Sequence, residues 1–146
     1  MRNAFLYFLY ITALTVFFLG CCTAVTQKNQ IVSQDMLLHH NFILQSVDGA
    51  LLKNDRVIPN LAFNEKMYIS GSMCNRFMGQ GTLENNILKA QMASTMMMCL
   101  EEELNQHEYF LYKMLEEGAE LEYSGNMLTL SQGGHVFVYK LKDFID

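Results

Sequence analysis

A chain of 146 residues has room for one domain with a real core and not comfortably for two. Its formal net charge is −5, and loss of the segment ahead of Cys22, whose one charged residue is Arg2, takes −5 to −6. An acidic balance of this kind argues against nucleic acid as a partner and leaves protein or small-ligand partners open.

Met1-Arg2-Asn3 is a short basic start, and Ala4 to Leu19 is apolar apart from Thr12 and Thr15. Gly20-Cys21-Cys22 follows, so residues 1–21 read as a secretory signal. The apolar run is slightly short for a membrane span, which takes about 17–25 residues. Phe18-Leu19-Gly20-Cys21 resembles a bacterial lipobox, which makes the signal a lipoprotein signal and Cys21 the lipidated residue. Cys22 is the alternative acceptor, and an ordinary signal or an uncleaved anchor is the plainer reading. Acyl chains on such a cysteine hold a domain to a membrane, with about 0.8 kcal/mol for each buried CH₂. Cys22, rather than aspartate, after Cys21 resembles enteric lipoproteins sorted to the outer membrane. Residues 22–35 are polar without a clear period and read as a flexible tether.

The domain is expected over residues 36–146. Asn41 to Gly49 alternates loosely and ends in the turn pair Asp48-Gly49, a first strand. Residues 54–60 form a loop with the single proline, Pro59. Leu61-Ala62-Phe63 and Met67 to Ser72 are strands joined at Asn64-Glu65-Lys66. Phe77 to Leu83 is a strand whose glycines suit a sharp bend or close approach by another backbone. Glu84-Asn85-Asn86 turns the chain into Ile87 to Ala90. From Leu100 to Leu115, positions 100, 104, 108, 111 and 115 share one helical face and are taken as its apolar stripe, with Met114 beside them. Glu101, Glu102 and Glu103 suit the first turn and Gly118 a C-terminal stop. Leu121 to Tyr123, Met127 to Leu130 and His135 to Leu141 are the last strands. The fold class is therefore α+β: a small antiparallel β-meander forming a partly open barrel, with one amphipathic helix packed against it.

The blocks "SVDG", "ISGSMCNRFMGQGTLENNILKA", "ASTMMMC" and "MLEEGAELEYSGNMLTL" appear in this order and resemble the META domain family over roughly residues 36–146. The most specific parts are Gly71 to Gly81, around Cys74-Asn75-Arg76-Phe77, and Ala93 to Cys99. Phe42 stands where many members carry tryptophan, and Met96 where many carry arginine. The resemblance implies a small mixed barrel of lipocalin-like outline. It also implies an association with envelope stress and, in relatives, with tolerance of novobiocin. It supplies no reaction.

Cys74 and Cys99 are 25 positions apart, and an even pair of cysteines in an oxidising compartment favours a disulfide. Such a link contributes about 3 kcal/mol in the chain-entropy picture. Two buried thiols, or a reactive or metal-bound pair, are the alternatives, although neither cysteine has a CxxC partner or neighbouring histidine. Gly71, Gly79 and Gly81 need only backbone freedom. Asn75 suits a bend because it tolerates left-handed backbone. Arg76 reads as a brace that donates to local carbonyls while its stem packs, in preference to a clamp for an acidic ligand.

Met92, Met96, Met97 and Met98, with Met73 and Met78, offer thioethers suited to Cu(I), or side chains that fill an irregular core or a plastic binding surface. In a strand Met96 and Met98 would share a face and Met97 would point away. His39, His40, His107 and His135 carry no metal spacing and read as surface or edge residues. No GxSxG, HExxH or phosphate-cradling loop is present. The combined expectation is a monomeric, non-enzymatic envelope lipoprotein with no metal and no cofactor. It would lie at the periplasmic face of the outer membrane and act on an unknown envelope protein or small ligand. The alternatives are a small-ligand carrier with an apolar cavity between sheet and helix, and a Met/Cys soft-metal binder.

Overall fold

Residues 30–52, 57–97 and 99–143 are described by the structure, a computed structural model. The signal with Cys21, the neighbouring Cys22, and Met98 lie outside the described residues. Alternation of apolar and polar side chains sets the sheet: β1 (His40–Val47), β2 (Ala50–Leu51), β3 (Asn60–Phe63), β4 (Tyr68–Ser72), β5 (Arg76–Glu84), β6 (Ile87–Ser94), β7 (Ala119–Ser124), β8 (Met127–Gln132) and β9 (His135–Leu141). Every pairing is antiparallel, and from β3 to β9 each strand lies beside its successor. β1 pairs with β3 and also with β9, so eight strands close on themselves, while the two-residue β2 folds back on the end of β1. One phase of each strand fills the interior: Phe42, Phe63, Phe77, Leu121, Leu128, Leu130, Phe137 and Tyr139 are buried. Phe42 meets Phe63 and Tyr123 edge-on, each at 5.9 Å between ring centres.

The barrel has a weak seam. β6 and β7 pair only at Ile87↔Glu120 and Leu88↔Ala119. Helix α1 (Glu102–Glu117), which connects these two strands, packs along the rest of β6 and buries Leu104, Leu111, Met114 and Leu115. The expected apolar stripe needs two corrections. Position 108 is a glutamate, and it is buried all the same. Leu100 precedes the helix, whose N-cap is Glu101, and is 92% exposed. Gly118 ends the helix at φ 115°, its N–H donating to the Met114 carbonyl at 2.9 Å.

Two further expectations change. β6 runs on to Ser94 and stops before the methionines, so Met96 and Met97 do not alternate as strand residues; both point to solvent, 99% and 69% exposed. Residues 30–35 are also not a loose tether. Val32 is buried, because the Asn86 side chain grips the chain on either side of it: Oδ1 accepts from the Val32 N–H at 2.8 Å and Nδ2 donates to the Gln30 carbonyl at 3.1 Å. Asn86 can do this from the β5–β6 turn, where Asn85 and Asn86 both take positive φ, at 49° and 64°.

Candidate functional site

The segment from Gly71 to Gly81 bends from β4 into β5 through Met73, Cys74 and Asn75. Met73 is buried under the turn, and its N–H donates to the Asn75 carbonyl at 3.0 Å. Cys74 is joined to Cys99 by a disulfide, with the two Cα atoms 5.7 Å apart. That bond fastens the turn to the segment leading into α1.

Asn75 is 6% exposed, and its carboxamide makes four hydrogen bonds, the full number it can form. Oδ1 accepts from the Thr95 hydroxyl at 3.0 Å and the Met97 N–H at 2.7 Å. Nδ2 donates to the Met97 carbonyl at 3.0 Å and to Glu108 Oε1 at 2.8 Å. The other Glu108 oxygen accepts from the Cys74 N–H at 3.1 Å and the Asn75 N–H at 2.5 Å. Glu108 is thus a buried carboxylate held by three N–H donors, bonds of the charge-assisted kind that contribute about 1.5–3 kcal/mol each. Asn105, one turn earlier on α1, accepts from the Cys99 N–H at 3.3 Å and donates to the Cys99 carbonyl at 3.2 Å. Sheet turn, post-β6 segment and helix therefore meet in one polar knot beside the disulfide.

The sequence placed the brace on Arg76, and the structure moves it. Arg76 lies on the outward phase of β5, so its stem cannot reach the turn carbonyls; the side chain is exposed, and among the described residues nothing accepts a hydrogen bond from its guanidinium. Its backbone alone takes part, its N–H donating to Thr95 Oγ1 at 3.2 Å and its carbonyl accepting from the Thr95 N–H at 3.0 Å. Asn75 does support the bend, though through side-chain bonds and without positive φ. Phe77, on the inward phase, stacks edge-on against Tyr112 at 5.6 Å. Burial pushes the Tyr112 phenol up to about 12.

Close approach accounts for the glycines. A Cβ on Gly71 would stand 2.1 Å from the Asn60 carbonyl oxygen and 2.7 Å from Phe77 Cζ; one on Gly79 would stand 2.3 Å from the Gln91 carbonyl oxygen. At Gly81 the same atom would meet Ile69 Cδ1 at 2.8 Å.

The histidines are dispersed. His40 Nδ1 lies 3.0 Å from Asp143, and His107 Nε2 lies 3.5 Å from Glu103. His135 Nδ1 sits 2.8 Å from Asp48 Oδ2, its ring stacked on Phe110 at 3.9 Å. That bond, and the Val136 N–H at 2.7 Å, hold the Asp48 carboxyl below its ordinary value. Among the described residues no three His, Cys, Asp or Glu side chains gather where they could hold a metal ion. The space between sheet and helix is filled by Leu88, Ala90, Leu104, Leu111 and Leu115, all buried. A groove of about 470 Å³ lined by Gln80, Thr82, Lys89, Ala90, Gln91 and Glu116 is open and largely polar.

Glu108 escaped the sequence reading, and one signal was available for it. A glutamate that interrupts a helical stripe of Leu104, Leu111 and Leu115 must find N–H donors inside or break the face.

The META domain family pattern matches residues 35–144. The chain is 41% identical over 135 residues to heat shock protein HslJ of Escherichia coli (strain K12), covering 92% of this chain and 94% of the relative. A structure solved by NMR superposes with a TM-score of 0.74 at 43% identity, covering 80% of this chain and all of the other. A second NMR structure, of a protein from Burkholderia xenovorans, superposes with a TM-score of 0.59 at 18% identity over 74% of this chain and 85% of the other, a likeness of fold alone. With the family pattern spanning the closed barrel, its seam helix and the disulfide turn, the chain belongs to the META domain family.

Proposed function

We propose that the protein is a non-enzymatic lipoprotein of the bacterial envelope that serves under heat or envelope stress, by binding a partner or by supporting envelope integrity. The observation that carries this reading is the closed bonding of the Gly71–Gly81 turn. The Asn75 carboxamide and the Glu108 carboxylate are bonded to groups of the chain itself and the two cysteines to each other, so the turn is a brace with no nucleophile or base held ready. Likeness to a heat shock protein over most of its length supports the stress setting. A lipid on Cys21, or on Cys22 in its place, would hold the domain at the periplasmic face of the outer membrane, and tolerance of novobiocin is the accompanying phenotype.

Neither alternative has an observation in its favour. An apolar carrier needs room between sheet and helix, and that space is packed. A combined Met/Cys soft-metal site loses its sulfur anions, because Cys74 and Cys99 are spent on each other.

The test is made in the protein's own host. Cys21→Ala should release the domain from membranes; an acyl group found on Cys22 moves the anchor by one residue, and membrane retention of the Cys21→Ala/Cys22→Ala double variant ends the lipoprotein reading. Crosslinking in intact cells before and after heat shock should give a partner species that grows with stress. Deletion should lower survival in novobiocin, and unchanged survival removes that part.

A further inference from the structure

Of the nine described methionines, Met36, Met92 and Met127 are half-buried, and the other six fall into two groups. Met67, Met73 and Met114 are buried in the core. Met78, Met96 and Met97 are 52%, 99% and 69% exposed. The exposed group is confined to one end of the barrel, where β4 turns into β5 and β6 gives way to α1. Met96 and Met97 lie between Ser94, the last residue of β6, and Cys99; Met78 lies on the outward phase of β5, paired with Ala93 just before them. Leu100, 92% exposed and next in the chain after Cys99, joins them in an apolar collar beside the disulfide.

Large apolar side chains usually leave solvent when their backbone is free to fold them in. Here it is not free. The Met97 N–H and carbonyl are both bonded to the Asn75 carboxamide, Thr95 is bonded to Asn75 and Arg76, and Cys99 is crosslinked. The frame that keeps the turn rigid therefore keeps these thioethers outside. An exposed thioether is a soft nucleophile whose oxidation product is polar.

We propose that Met78, Met96 and Met97 form an oxidant-reactive surface that takes up oxygen from hydroperoxides while the barrel stays folded. In each event a sulfur lone pair attacks the peroxide oxygen. The S–O bond forms as the O–O bond breaks; the departing hydroxide, or alkoxide from an organic hydroperoxide, takes the proton carried by the transferred oxygen and leaves as water or alcohol. Sulfur loses two electrons to become sulfoxide, and the peroxide is reduced. The collar changes from apolar to polar, and a methionine sulfoxide reductase reverses the change. The inference stands apart from the lipid anchor and from the stress setting.

The experiment treats the folded protein with graded hydrogen peroxide, locates the added oxygen by peptide mass spectrometry, and follows the unfolding midpoint and retention on a hydrophobic-interaction column. Met78, Met96 and Met97 should be oxidised before Met67, Met73 and Met114 gain oxygen, with the midpoint unchanged and retention reduced. A Met78→Leu/Met96→Leu/Met97→Leu variant should keep its midpoint and its column retention under the same treatment. Oxygen appearing on the buried methionines at the same rate, unfolding that accompanies collar oxidation, or a triple variant whose retention falls as far as that of the parent would each overturn the proposal.

Discussion

The Asn75 carboxamide donates to the Glu108 carboxylate at 2.8 Å across 33 residues of chain, and this bond ties the β4–β5 turn to the middle of the helix. Because Glu108 also receives the N–H groups of Cys74 and Asn75, removing its carboxylate strands three donors in a buried place. Glu108→Ala should cost about 3 kcal/mol, read as a fall of about 10 °C in the unfolding midpoint. Glu108→Gln, which keeps one acceptor oxygen, should fall between. A Glu108→Ala protein as stable as the parent would refute the brace.

The disulfide and the knot secure the same turn by different means. Cys74→Ser/Cys99→Ser frees a loop with a sequence separation of 25, which corresponds to about 3.5 kcal/mol in the chain-entropy picture. The barrel should nonetheless remain folded, with native circular dichroism, since the Asn75 and Glu108 bonds are retained. Thiol titration of the native parent domain without reductant should find no reactive group at Cys74 or Cys99; two titrating thiols there would contradict the crosslink.

Glycine substitutions separate crowding from backbone strain. Gly71→Ala drives a methyl into the Asn60 carbonyl and the Phe77 ring and should cost about 3 kcal/mol. Gly125→Ala, at φ 59° with nothing within 4 Å, should cost only about 1 kcal/mol, the penalty of left-handed backbone. Urea titrations of both variants decide the order, and equal losses would reject the contact explanation for Gly71.

Asp48 predicts the sign of an acid-side effect. Its folded carboxyl titrates below the ordinary 3.8 because His135, and then the Val136 N–H, favour the ionised form. Its stabilisation is therefore complete above the unfolded value and is lost as pH falls through the lower folded value. Solvent screening keeps it under about 1 kcal/mol, because the side chain is 44% exposed. Asp48→Asn should flatten the acid limb of stability against pH without changing the fold; a limb as steep as the parent's would remove Asp48 from the account.

Strand order and the single helix were legible because alternation and turn pairs are local properties, as in Asp48-Gly49 and Asn85-Asn86. The cysteine pair could be proposed from number and compartment alone. What escaped was set by neighbours distant in sequence. Met96 and Met97 look like strand residues until the amide of Asn75 takes the backbone of Met97. Residues 30–35 look like a linker until Asn86 seizes them. Arg76 looked like the brace because arginine is the strongest donor in its block, yet strand phase points it outward and gives the work to its neutral neighbour.

The grip of Asn86 on Gln30 and Val32 has an orienting consequence. It lies at the tip of the β5–β6 hairpin, whereas Cys74 lies at the other end of β5, about 30 Å away for a strand of nine residues. Anything that moors the chain ahead of Gln30 pulls at the hairpin tip, like a rope at the stern. The end that carries Met78, Met96 and Met97 then lies farthest from the mooring, facing whatever diffuses past.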